Sequence, residues 1–313
     1  MERAAIFGGA GAIGQSIAPE FERRGIPFRV VGRSREKLDR AFSGFSRAEI
    51  FPANLAELRD AGAAARGVDT IFYCVGLPYP SHHLHPVLIK TTIEAAKMVN
   101  ARRLVLVSSV YPYGVPRTSR VAETHPREPH TRKGGYRKEQ EDLVLAAHSA
   151  GGLETMVVRL PDFYGPHADI GLAQMVFSAA VAGKTINWPG VINMPHEFVF
   201  VPDAGSVIVE AAARDCYGEA WNYGGPGAIN VLDFITRVYR AAGRAPQYRA
   251  VGKGILRIAG WFNSEIREAI EMLYLQETPV ILDDSKLAAK LGGLHKTSYD
   301  EGIRRTIESL RQA

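Results

Sequence analysis

Short apolar runs alternate with longer segments of helical pattern through the first half of the chain. The runs lack the strict alternation of a strand with one exposed face, which is typical of strands that a parallel sheet buries on both faces. This order of strands and helices predicts βαβ units in a doubly wound α/β sheet. The predicted strands are 4–7, 28–31, 70–75, 104–107 and 155–158. The predicted helices are 14–24, 35–42, 55–65, 86–98 and 136–150.

Beyond Tyr164 the alternation becomes less regular. Helices are predicted at 172–182 and 231–242, and short strands at 197–201 and 220–223. We therefore expect a doubly wound domain in residues 1–165, with later returns to its sheet near 197–224. Residues 166–313 are expected to form mostly a smaller cap domain.

Composition narrows the class of protein without changing this architecture. Of 313 residues, 46% are hydrophobic and 23% charged, which excludes disorder, collagen-like repetition and a disulfide scaffold. The longest nearly apolar stretch, 171–183, is too short to cross a bilayer, so no membrane partner is expected. The glycines within 4–18 indicate a turn rather than a signal peptide, and with two cysteines in all a cytoplasmic location is expected.

The net charge of +5 is spread along the chain except for one basic segment, from Arg117 to Lys138. A nucleic-acid-binding protein more often shows a basic stripe with interleaved aromatic residues, so no nucleic-acid partner is predicted. The segment has two interpretations: it binds an anionic substrate, or it is a solvated loop. Its basic residues are Arg117, Arg120, Arg127, Arg132, Lys133, Arg137 and Lys138.

A glycine-rich turn, Gly8-Gly9-Ala10-Gly11-Ala12-Ile13-Gly14, joins the first predicted strand to the first helix. Glycines at these positions permit a tight turn, a close approach to a pyrophosphate and close packing of helix on strand. The helix N-terminus would direct its free N–H groups at the phosphates. Because strand, turn and helix come in this order, dinucleotide binding is favoured over an ordinary glycine-rich turn.

Arg33 and Ser34 follow the second strand, where an NAD-selective site usually has Asp or Glu. A guanidinium fork suits the 2′-phosphate of NADP, and the Ser34 hydroxyl can add a hydrogen bond. NADP is therefore predicted as the cofactor, with NAD as the less favoured alternative. The other interpretation of Arg33 is a solvated loop arginine.

Further motifs accompany the glycine-rich turn. They are Asn54-Leu55 after the third strand, Ser108-Ser109, Tyr113-Gly114, the run from Arg159 to Pro166, and Val201-Pro202-Asp203-Ala204. Together with the turn, they resemble the extended or atypical short-chain dehydrogenases/reductases, in particular the NAD-dependent epimerase/dehydratase family. The resemblance covers most of the chain. It implies a Rossmann domain with a small C-terminal substrate-binding domain, a small-molecule substrate and, as an open alternative, a homodimer.

The resemblance also implies roles for individual residues. Ser109 and Tyr136 would be the catalytic pair, and Asp162 would lie near the substrate. The residues implied in cofactor binding are Gly8, Gly11, Ala12, Ile13, Gly14, Arg33, Ser34, Asn54, Leu55, Cys74, Val75, Gly76, Gln140, Pro161 and Phe163. No metal is expected, because no Cys or carboxylate joins the histidines of Ser81-His82-His83-Leu84-His85 locally. One of these histidines as a proton donor to the substrate stays an alternative.

Gln140 departs from the Y-x-x-x-K pattern of the family. It takes the place of the lysine that holds the nicotinamide ribose and lowers the pKa of the tyrosine. Glutamine can keep a hydrogen bond to the ribose but brings no charge, so Tyr136 is expected to stay a phenol, which suits carbonyl reduction. Lys138 lies on the far side of a regular helix, whereas Lys133, before Gly134-Gly135, could turn back toward the phenol.

The predicted function is an NADP-dependent oxidoreductase or epimerase. It would act on a carbonyl or hydroxyl of a small substrate, for which an anionic compound or a sugar nucleotide is a candidate. A catalytically silent dinucleotide-binding sensor or regulator is the alternative that Gln140 favours. A third hypothesis is an enzyme of the same fold in which Asp162 or a histidine is the acid or base of a dehydration or isomerisation.

Overall fold

The computed structural model describes residues 1–312, in which a parallel sheet is flanked by helices on both faces. The strands are β1 (Ala4–Phe7), β2 (Phe28–Gly32), β3 (Ala48–Pro52), β4 (Thr70–Tyr73), β5 (Arg103–Ser109), β6 (Glu154–Leu160), β7 (Asp162–Tyr164), β8 (Ile186–Pro189), β9 (Pro195–His196), β10 (Phe198–Phe200), β11 (Ala220–Asn222), β12 (Ile229–Asn230) and β13 (Tyr248–Val251). The helices are α1 (Ala12–Arg23), α2 (Arg35–Phe42), α3 (Leu58–Ala65), α4 (Leu84–Met98), α5 (Arg132–Ser149), α6 (Leu172–Ala182), α7 (Val201–Ala213), α8 (Val231–Ala241), α9 (Lys253–Phe262), α10 (Ser264–Ala269), α11 (Ser285–Leu291) and α12 (Tyr299–Gln312).

Seven strands form the main sheet in the order β11-β6-β5-β4-β1-β2-β3, and every pair in it is parallel. This confirms the predicted fold class, a Rossmann-type doubly wound α/β sheet. The chain runs outward from β1 to β2 and β3 on one side, and from β4 to β5 and β6 on the other. The loops that follow β1 and β4 therefore diverge, which leaves a crevice at the carboxyl edge of the sheet.

The two faces of the sheet bury separate apolar cores. One core packs Ile17 and Phe21 of α1 against Ile208 of α7, and the other packs Ala64 of α3 against Ile89 of α4. α1 and α7 cross closely at Gly205, because any side chain there would overlap the backbone of Ser16. Every residue of β1 and β4 is buried between these two cores, so close packing on both faces positions the strand ends that border the crevice.

The second half of the chain builds its own aromatic core beside the crevice. Tyr164 stacks on Phe177, and Phe198 stacks on Phe234. The short strand β7 pairs with β10, whereas β11 returns to the main sheet beside β6. No helix within residues 1–312 is long and apolar enough to cross a membrane.

Helix α5 begins at Arg132, four residues before the predicted start at Tyr136. The Thr131 hydroxyl caps it by accepting a hydrogen bond from the Gly134 N–H at 3.1 Å. A Cβ at position 134 would lie 2.9 Å from the backbone oxygen of Tyr111, so glycine here serves close packing rather than flexibility. The first turn of α5 is thereby held against the end of β5.

Candidate active site

Gly8 and Gly14 are required by the fold of the glycine-rich turn. Gly8 has a φ of +82°, and a Cβ there would lie 2.8 Å from the Cα of Val75. A Cβ at Gly14 would overlap the backbone of Gly9. Gly11 differs, because it has a φ of −78° and the nearest atom to its Cβ position is the Gly8 oxygen at 3.4 Å. The fold therefore does not itself require a glycine at position 11, and the space at its Cβ position is open to a bound group.

The N-terminus of α1 faces this turn. Gly11 is its N-cap residue and has no side chain to satisfy the first N–H groups of the helix. Ala12 is half-buried, and the Ile13 side chain packs into the core, so their backbone N–H groups are what they can offer a ligand. This arrangement fits the phosphates of a dinucleotide.

The loops after β2 and β3 carry the residues predicted at the adenosine end. The Arg33 side chain is exposed and pairs with no carboxylate within residues 1–312. Ser34 caps α2 by accepting a hydrogen bond from the Lys37 N–H at 3.3 Å, so its hydroxyl is already engaged. Asn54 is exposed and accepts a hydrogen bond from the Ala56 N–H at 3.2 Å, whereas Leu55 is buried in the core.

Cys74, Val75 and Gly76 follow β4 and form the opposite wall of the crevice from Gly8. Cys74 and Val75 are half-buried, and Gly76 is exposed. Burial raises the pKa of the Cys74 thiol above its usual range, so it stays protonated at neutral pH. These residues can line the crevice by packing rather than by charge.

Ser108 and Ser109 end β5 and point to opposite faces of the sheet. The Ser108 hydroxyl donates to a carboxylate oxygen of Glu141 at 2.6 Å, where Glu141 also accepts from the guanidinium of Arg159. This buried network was not predicted from the sequence. The Ser109 hydroxyl accepts only a long hydrogen bond, 3.4 Å, from the Tyr111 N–H, and is half-buried. Of the two serines, Ser109 is thus the one whose hydroxyl is available to a ligand.

Tyr136 and Gln140 lie one turn apart on α5 and share a helix face. Tyr136 is half-buried, and no hydrogen bond to its hydroxyl is present within residues 1–312. Gln140 is fully buried, and its amide oxygen accepts a hydrogen bond from Arg137 at 2.5 Å. The amide nitrogen of Gln140 is buried without a hydrogen-bond partner in the described chain. A buried donor left unpaired is costly, which fits a cofactor hydroxyl as its partner.

Neither lysine near Tyr136 turns toward the phenol. The sequence left open that Lys133 turns back toward the Tyr136 phenol. Its ammonium instead donates hydrogen bonds to Glu268 and Glu271 at 2.8 Å each. The helix already includes Lys133, which fixes the direction of its side chain. Lys138 pairs with Asp142 at 2.6 Å, on the side of the helix that the spacing predicts.

Most other charges of the basic segment are also held by partners in the protein. Arg117 pairs with Glu128, Arg127 with Glu141 and Asp142, and Arg120 donates to the Leu282 carbonyl. Arg137 is buried and donates to the Val107 carbonyl at 3.2 Å. The segment does not present a cluster of free cations, so the geometry gives no support to an anion-binding loop.

Asp162 begins β7 and is partly exposed at the site. One of its carboxylate oxygens lies 2.9 Å from Nε2 of His196. Nearby, the hydroxyls of Tyr79 and Tyr111 share a hydrogen bond of 3.3 Å. Burial raises the pKa of Tyr79 to about 12, and the charge of Asp162 adds to the rise. Pro161 is buried and Phe163 packs against the core, so Asp162 is the polar group that this segment can offer a substrate.

The histidines after β4 are mostly internal. His82 and His85 are buried, and His83 is exposed. Burial, assisted by the charge of Arg137, lowers the pKa of His82 to about 4 and that of His85 still further. Both imidazoles are therefore neutral at pH 7 and cannot supply a proton as imidazolium. Within residues 1–312 no group of three or more His, Cys, Asp or Glu side chains could hold a metal ion.

Comparisons with known proteins agree with the fold and identify the family. The sequence model of the NAD dependent epimerase/dehydratase family matches residues 4–224. A 4-hydroxy-2-methyl-3-oxo-4-farnesyl-3,4-dihydroquinoline-1-oxide ketoreductase of Stigmatella aurantiaca is 23% identical over 99% of this chain and 96% of its own. A decarboxylating sterol-4-alpha-carboxylate 3-dehydrogenase of Bos taurus is 25% identical over 79% of this chain and 72% of its own. The crystal structure of a dTDP-glucose 4,6-dehydratase of Bacillus anthracis in complex with NAD superposes with a TM-score of 0.83 at 16% identity, covering 100% of this chain and 97% of that one.

Proposed function

Because this chain belongs to the NAD-dependent epimerase/dehydratase family, we propose that it is an NADP(H)-dependent oxidoreductase that reduces a ketone. The observation that carries the proposal is the pair Ser109 and Tyr136. Ser109 ends β5 and Tyr136 lies in the first turns of α5, which Gly134 packs against the backbone of Tyr111 just beyond Ser109. Neither hydroxyl is engaged by a strong hydrogen bond within residues 1–312, so both are free for a substrate.

The cofactor fits the residues that would hold it. The turn at Gly11 and the N-terminus of α1 would take the pyrophosphate, and the unpaired amide nitrogen of Gln140 would donate to the nicotinamide ribose. When bound, the nicotinamide supplies a hydride to the carbonyl carbon. Ser109 would orient and polarise the carbonyl oxygen, and Tyr136 would transfer its phenolic proton to that oxygen.

A preference for NADP over NAD is supported by Arg33. Its guanidinium is exposed after β2 and free of carboxylate partners in the described residues, as a group that binds the 2′-phosphate must be. No Asp or Glu stands at 32–34 to accept hydrogen bonds from the ribose hydroxyls of NAD.

For the substrate, we favour a lipophilic ketone over an anionic compound or a sugar nucleotide. The ketoreductase that resembles this chain over nearly its full length acts, by its name, on a farnesyl-bearing ring, and the dehydrogenase acts on a sterol. Tyr79, Tyr111 and Tyr274 belong to one apolar cluster, in which Tyr111 contacts Ser109, while the nearby cation Lys133 is paired within the protein. A catalytically silent cofactor binder is the second candidate, because Gln140 brings no cation to Tyr136.

The test follows loss of NADPH absorbance in the presence of ketones with and without an isoprenoid tail. Tyr136→Phe should lower kcat by roughly 10²–10⁴-fold, the usual contribution of general acid catalysis. Tyr217→Phe is the matched control, because the Tyr217 hydroxyl has no partner in the described residues and its ring packs on Arg103 at the far end of β5. Turnover by Tyr136→Phe at the wild-type rate would exclude Tyr136 as the acid. Tight NADPH binding without turnover of any ketone would favour the silent binder.

A further inference from the structure

Helix α9 exposes large apolar side chains that nothing in the described chain covers. The exposed fractions are 64% for Ile255, 59% for Ile258, 79% for Trp261 and 87% for Phe262. Scattered single apolar residues are ordinary at a protein surface, but four on one short helix form a contiguous patch of the kind that marks an interaction site.

The patch occupies one side of a helix pair, the α9–α10 hairpin (residues 253–269). Ile255, Ile258 and Phe262 recur at spacings of three and four residues, which places them on one face, and Trp261 borders that face. The opposite side packs against α10 at Gly260, where a Cβ would lie 3.1 Å from the Cα of Arg267. The hairpin is thus a packed unit whose outward face is apolar.

The unpaired charges on the hairpin and on the strand before it are mostly basic. Arg249, Arg257 and Arg267 are exposed and pair with no carboxylate within residues 1–312. Most acidic residues nearby are already neutralised, since Glu268 and Glu271 pair with Lys133 and Arg132, and Glu277 pairs with Lys253. Glu265 is the exception. Unpaired arginines together with an exposed Trp and Phe suit a binding surface that has an apolar interior and anionic groups at its interface with water.

The hairpin packs beside the candidate active site. Lys133 is buried one turn before Tyr136 on α5, and its ammonium binds Glu268 and Glu271. The same ammonium lies 5.7 Å from the ring centroid of Tyr79, and α10 packs on the 3₁₀ turn Tyr79–Ser81. α10, on which α9 packs, therefore contacts the segment around Tyr79 and the first turn of α5, beside Tyr136.

We propose that the apolar face of the α9–α10 hairpin docks on the surface of an anionic lipid bilayer. The side chains of Trp261 and Phe262 enter the headgroup boundary, and Arg257 on α9 binds lipid phosphates. The expectation of no membrane partner rested on the lack of a spanning segment, whereas this contact stays on one surface. Resting on the proposed function, docking would deliver a lipophilic ketone from the bilayer to the site.

A second copy of the chain is a poorer occupant of this face. A symmetric dimer would place the same patch on both sides, so the unpaired arginines of one copy would meet those of the other. A bilayer that contains phosphatidylserine instead supplies opposite charge. The same argument predicts that docking weakens with salt, because exposed charges are screened.

The sequence provides a built-in reporter for the test. Trp188 and Trp221 are 0% and 4% exposed, so of the three tryptophans Trp261 alone reports on the surface. With vesicles of equal parts phosphatidylcholine and phosphatidylserine, the full chain should co-sediment and its tryptophan emission should shift to shorter wavelength. Pure phosphatidylcholine vesicles should bind less, and Arg257→Gln should weaken binding by about fivefold.

Trp261→Ser with Phe262→Ser should abolish co-sedimentation, whereas Met98→Ser, which removes an exposed apolar side chain from α4, should leave it intact. Absence of binding to anionic vesicles would overturn the proposal. So would a dimer in sedimentation that the Trp261→Ser and Phe262→Ser double variant dissociates, because a second copy would then cover the face. The rate of NADPH oxidation with a water-soluble ketone should be the same in these variants as in wild type. If wild type itself oxidises no NADPH, that result would count against the proposed function and not against docking.

Discussion

The Arg137 guanidinium donates a hydrogen bond to the Gln140 side-chain oxygen at 2.5 Å, and both side chains are buried. A guanidinium can only donate, so the amide oxygen must face Arg137 and the amide nitrogen must face away from it. That nitrogen has no partner within residues 1–312. Arg137 therefore fixes which end of the amide is offered to a cofactor. The same contact places a buried cation beside the position where the family has lysine.

Restoring that lysine alone should damage the protein. In Gln140→Lys, an ammonium would lie beside the Arg137 guanidinium away from water, where two like charges repel. We expect a loss of about 3 kcal/mol in the free energy of unfolding, as for a buried charge without a partner. The double variant Arg137→Met, Gln140→Lys removes the repulsion and should recover most of the loss. Urea denaturation of the two single variants and the double variant measures this coupling, and additive effects would contradict it.

The sequence predicts correctly those helices and strands whose ends are determined by neighbouring residues in the chain. Helix α2 begins at its Ser34 cap and ends at Phe42 as predicted, and β1 matches residue for residue. The predicted start of α5 at Tyr136 is wrong because Gly134-Gly135 lies inside the helix, where Gly134 packs against the backbone of Tyr111, which is distant in sequence. Local pattern carries no information about such a contact.

The candidate site shows the same division. The glycine-rich turn was predicted because its residues are consecutive, and Ser109 and Tyr136 because their spacing matches a family. Arg137 was counted with a basic surface loop, although partners from β5 and α4 bury it. The apolar residues of α9 have the same spacing as those of a helix packed in the core. Only their exposure in the fold shows that this face lies at the surface.

Arg33→Asp should reverse the choice of cofactor. Loss of a charge-assisted contact with the 2′-phosphate is expected to weaken NADPH binding by at least about tenfold, and the carboxylate should improve NADH binding. Arg40→Asp makes the same charge change on α2 at an exposed residue that pairs with Glu36. Fluorescence titration with both cofactors provides the measurement. Equal affinities of the wild type for NADPH and NADH would show that Arg33 does not select the phosphate.

Gly11→Val and Gly14→Ala should fail in different ways. The backbone of Gly11 is extended, with φ −78° and ψ 165°, and its Cβ position is open, so valine should fold yet block the pyrophosphate. A methyl group at Gly14 overlaps the Gly9 backbone, so this variant should lose stability first. Gly44→Val, in open space, is the control for valine itself. Thermal unfolding and NADPH titration separate the outcomes; normal NADPH binding by a folded Gly11→Val would assign the glycine to structure alone.

Glu197 should make the protein less stable as the pH rises. Its carboxyl is buried and accepts a hydrogen bond from the Leu282 N–H at 2.9 Å; burial raises its pKa from 4.5 to about 7. Asp284 adds to the rise, while Lys296 and Arg120 oppose it. Between these two pKa values the folded state binds a proton that the unfolded state has released. The contribution of Glu197 to the free energy of unfolding is therefore fully present below pH 4.5. It decreases as the pH rises through 7, by about 3 kcal/mol in total.

Glu197→Gln should remove this slope, because an amide oxygen can still accept from the Leu282 N–H and does not titrate. The variant should be more stable than wild type at alkaline pH, and the difference should vanish or reverse under acid conditions. Glu57→Gln, an exposed carboxylate, is the control and should leave the slope unchanged. Urea denaturation of the three proteins across this pH range measures the effect. Parallel stability curves for Glu197→Gln and wild type would show that Glu197 is ionised in the folded protein, as it would be if Lys296 and Arg120 outweighed burial.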